Sequence, residues 1–210
     1  MLNRLARWIE GHPGIHRLAL GVWRRFPPRL AGFLKGRVAR RWVVGAVAVM
    51  VDVDAAPPEV LLVEHSYRRR GAWGLPGGSV DPAPESPTAP ADASSSDDVI
   101  GRALKREIRE ELALAIDSIQ LLRVNAVHSV AEEPGPSRLH FYYACRPQGG
   151  FTTLRGRLVS GAIEGGSPEI LRARLVPLPE IGGYDLFSTD AEFLQRDLPS
   201  LIPVITGTRQ

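Results

Sequence analysis

Cysteine is almost absent from this sequence: Cys145 is the single one among 210 residues. One cysteine excludes an internal disulfide and favours a reducing compartment. Along the chain, no cluster of histidine and cysteine accompanies Cys145. We therefore interpret it as a core or strand residue rather than a nucleophile.

Long apolar runs are also lacking. The longest, Trp42 to Val51, has ten residues, whereas a membrane-spanning helix needs about 20. The first apolar segments are interrupted by arginine throughout, which does not match a signal peptide. Together these absences predict a cytoplasmic protein.

Acidic residues are scarce at the N-terminal end. Residues 1–41 hold ten arginine and lysine side chains and one acid, Glu10, so this segment carries a charge of +9. Because the whole chain carries +3, the remainder carries −6. The charge boundary predicts a basic arm, residues 1–41, followed by one globular domain, residues 42–210.

The arm is amphipathic at helical spacing, with Trp8, Trp23, Phe26 and Phe33 among its apolar residues. We expect a helical arm that packs as an extra layer on the domain or forms a homodimer contact. Two other interpretations stay open, namely binding of the basic face to a membrane surface and contact with nucleic acid. The composition also leaves a mitochondrial-type targeting segment open.

Beyond residue 41 the pattern changes to strands. Trp42–Val51 is rich in β-branched residues and nearly all apolar, as in a buried central strand, and we expect it to form a hairpin with Val60–Glu64. Three further strands and a helix are predicted downstream, in the order Ile119–Val130, Leu139–Cys145, Pro168–Leu178 and Asp190–Leu198. A glycine-rich stretch, residues 149–166, precedes the last strand.

Three glutamates stand out between these strands. Glu107, Glu110 and Glu111 are spaced i, i+3 and i+4, so they share one face of a predicted helix and border its apolar stripe. Crowded and partly buried carboxylates repel one another, and a Mg²⁺ ion, which takes oxygen ligands, removes that conflict. For this segment alone, a solvated face with Arg–Glu pairs is the alternative.

Upstream of this helix lies the loop Trp73-Gly74-Leu75-Pro76-Gly77-Gly78, whose glycines allow a ligand or metal to approach the backbone closely. Together with Arg106-Glu107-Ile108-Arg109-Glu110-Glu111-Leu112, this loop resembles the Nudix box. The resemblance extends over roughly Val43 to Leu178 and leaves the arm outside. It implies an α/β/α Nudix sandwich with a mixed β-sheet.

Two features depart from the box. Ala113 stands where the box ends in glycine, so we expect the helix to continue a little farther or to cap differently. The separation between the loop and the helix is also longer, because of a Pro/Ala/Ser-rich run, residues 82–97, that we interpret as a flexible insertion. Asp98 or Glu85 would then replace the first glutamate of the box, and helix capping is the other role open to Asp98.

The resemblance also implies a metal site. In the family pattern, the carboxylates of Glu107, Glu110 and Glu111 and the carbonyl of Gly77 hold Mg²⁺ or Mn²⁺. Arg106 matches the arginine that orients a carboxylate through a charge-assisted hydrogen bond.

Residues outside the helix complete the predicted site. Glu169 stands where many family members carry a loop glutamate, which makes it the candidate general base; a solvated residue at the entry of a strand is the alternative. Glu132 and Glu133 are lesser candidates.

The basic run before the glycine loop is the candidate substrate-binding segment. Arg68 and Arg70 would bind outer phosphates, beside the open backbone at Gly78, unless the run is a solvated loop.

We therefore predict a metal-dependent pyrophosphohydrolase that cleaves a nucleoside diphosphate linked to another moiety. The competing interpretation is a non-catalytic Nudix-like module that binds nucleotides or partners and whose arm engages a membrane or nucleic acid. The presence of all three helix carboxylates favours catalysis. The box itself does not separate nucleoside triphosphates, ADP-ribose, nucleotide sugars, dinucleoside polyphosphates and capped RNA ends as substrates.

Overall fold

The computed structural model describes residues 42–80, 99–127 and 137–207, together with His12 and Ile15. The strands are β1 (Val43–Val49), β2 (Val51–Asp52), β3 (Glu59–His65), β4 (Trp73–Gly74), β5 (Gly77–Ser79), β6 (Ile116–Val127), β7 (Arg138–Pro147), β8 (Leu158–Val159), β9 (Ala162–Ile163) and β10 (Ile170–Pro177). The helices are α1 (Val99–Leu112), α2 (Gly150–Arg157), α3 (Ser188–Glu192) and α4 (Leu198–Gly207). A 3₁₀ turn, Leu178–Gly183, follows β10, and a π-helical turn, Phe193–Asp197, joins α3 to α4.

Several predictions of the sequence fall outside these ranges. They concern the helical arm, the 82–97 insertion, and the candidate residues Asp98, Glu85, Glu132 and Glu133. These stay predictions. None of the described helices is long and apolar enough to cross a membrane.

Two sheets carry the domain. The first has the order β5-β1-β7-β6, and it is mixed because β1 runs parallel to β7 but antiparallel to β5. In the second sheet β3 lies between β10 and β2 and also pairs with β4, and these pairings are antiparallel.

Alternate side chains of the strands supply two separate cores. Ala46, Ala48 and Met50 pack with Leu104, Ile108 and Leu112 of α1 in one core. The intervening side chains pack on the opposite face with the C-terminal helices, in a second core that contains Val47, Val49, Val51, Phe193 and Leu198. Helices therefore cover both faces of the strands, which confirms the α/β/α sandwich with a mixed sheet.

The predicted hairpin between the first two strands is wrong for most of its length. The neighbours of β1 are β5 and β7, so neither edge is left for β3. The chain passes from the first sheet to the second at Met50, which is fully buried. Of the predicted first strand, only the part that forms β2 pairs with β3, through Val51 with Val60 and Asp52 with Glu59.

The C-terminal segment is longer and more irregular than predicted. Its helical part runs from Ser188 to Gly207 rather than from Asp190 to Leu198, and it contains the π-helical turn. Within it, the ring of Phe193 stacks on Tyr142 of β7 with centroids 3.9 Å apart. The glycine-rich stretch 149–166 is likewise structured, because it holds α2 and the β8–β9 hairpin.

Helix α1 ends at Leu112 and does not continue through Ala113. Ala113 has a φ of 50°, in the left-handed region that glycine adopts most easily. The chain therefore ends the helix in the conformation that the missing glycine of the box favours, although an alanine occupies the position.

Candidate active site

The glycine loop lies between β1 and α1, and at Gly77 and Gly78 there is no room for a side chain. Gly77 has a φ of 138°, and a Cβ there would lie 2.2 Å from the carbonyl oxygen of Ala46. A Cβ at Gly78 would lie 2.7 Å from Oε2 of Glu107. Both glycines are thus required by close approach, and the loop backbone borders the acidic face of α1.

Glu111 is the buried carboxylate of that face. Its side chain belongs to the interior, with 5% of the residue exposed, and it accepts a hydrogen bond from the N–H of Gly77. Burial, and then the negative charge of Glu107, raises the pKa of Glu111 to about 7, and the charge of Glu169 acts in the same direction. The chain therefore places two further carboxylates, those of Glu107 and Glu169, near the buried carboxylate of Glu111.

Arg106 and Glu110 lie at the outer side of this cluster. The Nη2 of Arg106 donates to Oε1 of Glu107 over 2.8 Å, and its Nε lies 3.9 Å from Oε1 of Glu110. The side chain of Glu110 is 63% exposed. Arg106 thus makes the carboxylate contact that its predicted orienting role needs.

The donors present fit a hard divalent cation. Oε2 of Glu111 is buried and accepts no hydrogen bond within the described structure, so a cation bound there would satisfy it. Neighbouring Glu107 offers further carboxylate oxygens. Among the described residues, however, no three His, Cys, Asp or Glu side chains converge into a ready-made metal site. The side chain of Glu110 is exposed and does not converge with those of Glu107 and Glu111.

Glu169 faces the site from the segment before β10. Its carbonyl accepts a hydrogen bond from the N–H of Ser66 over 2.7 Å, and its own N–H donates to Oγ of Ser167 over 3.2 Å. The backbone is fixed at both ends of the residue while the residue itself is exposed. Its carboxylate is close enough to raise the pKa of Glu111.

The two arginines predicted to bind phosphates have different surroundings. Arg68 donates to Oδ2 of Asp190 over 3.2 Å, and its guanidinium lies 4.1 Å above the ring of Phe187. Arg70 is exposed, and its charge contributes to lowering the pKa of Glu64. Arg69, between them, pairs with Asp185, whose oxygens accept from it at distances down to 2.5 Å.

A cleft of about 170 Å³ opens beside the glycine loop. Its walls include side chains that the sequence alone did not single out, namely Tyr67, Arg138, His140 and Asp190. Gly45 in β1 makes room for one of them, because a Cβ there would lie 2.9 Å from Cδ2 of His140. That glycine, in a strand otherwise made of valine and alanine, was the available signal, since an isolated glycine in a strand marks a close approach.

Comparison with known proteins addresses the same residues. The family model for the NUDIX domain matches residues 40–197. Among curated proteins, the chain is 36% identical to the human 8-oxo-dGDP phosphatase NUDT18 over 93 residues, 44% of this chain and 22% of that protein. To the mouse protein of the same name it is 29% identical over 152 residues, 69% of this chain and 38% of the mouse protein. The matches therefore span less than two fifths of the length of these relatives.

Solved structures support the fold. The NUDIX domain of Shewanella oneidensis NrtR, complexed with ADP ribose, superposes with a TM-score of 0.52 at 17% identity, covering 85% of this chain and 95% of that domain. A MutT NUDIX hydrolase from Burkholderia pseudomallei superposes with a TM-score of 0.50 at 22% identity, covering 75% of this chain and 99% of the other. The sequence match over most of the domain, the fold and the acidic helix beside its glycine loop agree, and the chain belongs to the Nudix hydrolase family.

Proposed function

We propose that this chain hydrolyses a pyrophosphate bond in a nucleoside diphosphate or one of its derivatives, with the help of Mg²⁺ or Mn²⁺. The 8-oxo-dGDP phosphatase activity in the names of its curated relatives makes the diphosphates of oxidised guanine nucleosides the first substrates to test. In that reaction, water attacks one phosphorus, the bridging P–O bond breaks, and a nucleoside monophosphate and phosphate leave.

The environment of Glu111 is the single observation that carries this proposal. A carboxylate buried next to Glu107 and Glu169, with one oxygen that accepts no hydrogen bond, is unfavourable for stability by itself. Folded proteins keep such clusters mainly where a cation or a reaction uses them. At Gly78 the absence of a side chain lets the carboxylate of Glu107 lie directly against the loop backbone, on the same face of the helix as Glu111.

Each residue of the cluster has a role in the proposal. Glu107, Glu110 and Glu111, with the carbonyl of Gly77, would hold the cation, which neutralises phosphate charge and lowers the pKa of water. Arg106 holds the carboxylate of Glu107 in place through its 2.8 Å contact. Glu169, exposed at the mouth of the site, would accept the proton of the attacking water.

The cleft beside the glycine loop would take the nucleoside part of the substrate. Binding sites for whole ligands of this size range occupy roughly 300–1,000 Å³, so a cleft of about 170 Å³ accommodates a base rather than a complete nucleotide. Tyr67 borders this cleft and is 60% exposed, which leaves its ring accessible to the substrate. The phosphates would then lie toward Glu107 and Glu111, with Arg70 on the outer side.

A substrate panel tests the proposal. Turnover of 8-oxo-dGDP, dGDP, ADP-ribose, a nucleotide sugar and nucleoside triphosphates is measured with Mg²⁺, with Mn²⁺ and with EDTA. We expect cation-dependent release of monophosphate from at least one diphosphate. Glu110→Gln and Glu111→Gln lower that turnover by two orders of magnitude or more, because a neutral amide is a poor ligand for a hard cation.

Glu180→Gln is the matched control. Glu180 is an exposed glutamate of the 3₁₀ turn to which no role is assigned, and its variant keeps full turnover. Full turnover in both Glu110→Gln and Glu111→Gln would show that these residues are not the cation ligands. Binding of a nucleotide from the panel without hydrolysis would favour the non-catalytic module instead.

A further inference from the structure

Leu75, in the middle of the glycine loop, is held from outside the loop on both sides of its backbone. Its N–H donates a hydrogen bond to Oδ2 of Asp190 over 3.1 Å, and its carbonyl oxygen lies 3.5 Å from Nε2 of His65. Asp190 is 2% exposed and His65 fully buried.

Asp190 fits closely against the loop. A Cβ on Gly74 would lie 2.4 Å from Oδ2 of Asp190 and 2.7 Å from Nη1 of Arg68. Arg68 donates to the same carboxylate oxygen over 3.2 Å, which neutralises the charge of a buried group. The carboxylate is thereby fixed directly beneath the loop, and Gly74 is required for that approach.

The rest of the loop backbone is anchored by other elements. Trp73 donates its N–H to the carbonyl of Asp185 over 2.8 Å and accepts from the N–H of Phe187 over 2.7 Å. Farther along, the carbonyl of Pro76 accepts from the N–H of Ala48 over 2.9 Å, and the N–H of Gly77 donates to Glu111. Between these anchor points, Leu75 is the residue held by side chains.

We propose that Asp190 is a positioning residue for the site: by accepting the N–H of Leu75 it fixes the backbone that leads into Gly77, and thus the place of Gly77 against Glu111. Asp190 acts through the loop and makes no contact with the reacting phosphates. The catalytic consequence rests on the proposed function, whereas the effect on the loop does not. The inference joins the C-terminal helical segment to the acidic face of α1 through one hydrogen bond across 115 residues of sequence.

Three variants test the proposal. Asp190→Ala removes the acceptor. Asp190→Asn keeps an oxygen for the N–H of Leu75 and loses the ion pair with Arg68. Asp197→Ala is the matched control, because Asp197 is another buried carboxylate of the same helical segment, paired with Arg123 and Arg196 away from the loop.

Amide hydrogen exchange of Leu75 is the first measurement. We expect exchange at least 10-fold faster in Asp190→Ala than in the wild type, relative to the amides of β1, and near-normal exchange in Asp190→Asn. Asp197→Ala lowers global stability and leaves that relative rate unchanged. Unchanged Leu75 exchange in Asp190→Ala overturns the proposal.

Steady-state kinetics are the second measurement. A positioning role lowers kcat about 10- to 100-fold in Asp190→Ala with KM nearly constant, and Asp190→Asn restores kcat. If Asp190→Asn instead raises KM or alters the choice of base, Asp190 contacts substrate and the positioning role is wrong. Should wild-type chain turn over nothing in the panel, the proposed function fails while the exchange comparison still decides the loop contact.

Gly74→Ala provides a second route if Asp190→Ala does not fold. Its Cβ displaces the carboxylate from Leu75 without changing Asp190 itself. The same acceleration of Leu75 exchange is expected, and its absence in a folded Gly74→Ala chain contradicts the proposal.

Discussion

Two groups of acidic residues, each with at least one buried member, differ in whether the chain supplies a counter-charge. Asp52 and Glu59, at the junction of β2 and β3, share the guanidinium of Arg155, with N–O distances of 2.8 and 2.5 Å. Glu64, at the far end of β3, accepts hydrogen bonds from Arg172 and from the N–H of Gly71. In this group the chain supplies its own positive charge.

Glu111, on the face of α1 that borders the glycine loop, has no such counter-charge bonded to it among the residues that the structure describes. Burial and the neighbouring carboxylates raise the pKa of Glu111 to about 7, whereas the hydrogen bond from Arg172 lowers the pKa of Glu64. Arg106 approaches the cluster from the Glu107 side, while Oε2 of Glu111 is left without a hydrogen bond. The first group has an internal counter-charge, which favours stability, whereas Glu111 has a raised pKa and an oxygen without a hydrogen bond. Under the proposed function, an external cation would supply the missing counter-charge.

The two groups should differ most in how they make the free energy of unfolding depend on pH, because their contributions have opposite signs. Unfolded glutamate ionises near its ordinary pKa of 4.5, but folded Glu111 holds its proton until about pH 7. The folded state therefore binds more protons between these values, and the free energy of unfolding falls as pH rises, by up to about 3 kcal/mol for 2.5 pKa units. For Glu64, with a lowered pKa, the stabilisation is present above pH 4.5 and is lost as pH falls.

Denaturant unfolding in EDTA from pH 4 to pH 8 checks this contrast. Glu111→Gln is expected to be more stable than the wild type at pH 8, and Glu64→Gln less stable. A Glu111→Gln variant that is destabilised throughout would show that Glu111 is a structural acid like Glu64.

Replacing Arg155 tests the first group directly, because this arginine is the counter-charge of Asp52 and Glu59. Arg155→Met leaves Asp52, 7% exposed, without its partner, and we expect a loss of about 1–2 kcal/mol because the guanidinium itself is partly solvated. Turnover per folded molecule stays at the wild-type level, which activity and unfolding measured on the same preparation will show. If turnover falls by more than the fraction of folded protein does, Arg155 and its acidic partners contribute to the active site.

A smaller effect is expected at the end of α1, which carries the acidic cluster. Ala113→Gly relieves a left-handed conformation that is unfavourable for alanine, and we expect about 0.5–1 kcal/mol of added stability after the greater flexibility of unfolded glycine is counted. Thermal unfolding of the variant beside Ala115→Gly, which lies in the connection to β6 and has no positive φ, separates this effect from a general glycine effect. A destabilised Ala113→Gly contradicts the account.

The smallest effect concerns the insertion between the two halves of the box. Removing residues 84–95 should change the free energy of unfolding by no more than about 1 kcal/mol, because the closure entropy of a flexible loop varies slowly with its length. Unfolding of the shortened chain measures stability, and the substrate panel measures turnover. A large loss of stability would show that the insertion packs on the domain.

Local pattern was enough to predict the acidic helix and the five longest strands, β1, β3, β6, β7 and β10. The spacing of Glu107, Glu110 and Glu111 and the apolar run at Val43–Val49 are properties of a few neighbouring residues. The parts that were missed depend on distant partners. Asp190 looked like the start of a helix, and its bond to Leu75 joins residues that local periodicity cannot relate.

The change from the first sheet to the second at Met50 was missed for the same reason. The composition of a ten-residue apolar run gives no sign that its last part pairs with strands of a different sheet. The end of α1 at Ala113 went against residue preference, because tertiary contacts hold an alanine in a glycine conformation. One such contact is the bond that Nη1 of Arg157 donates to the carbonyl of Ala113 over 2.6 Å.

The change of sheet at Met50 bears on how the domain comes apart. One continuous backbone, residues 43–52, contributes a strand to each sheet, with a single fully buried residue as the joint. Neither sheet can lose this segment without disturbing the other, so the two sheets melt as one cooperative unit rather than as separate foldons. We therefore expect amides in the loops and helix ends of the site to exchange faster than those of either sheet.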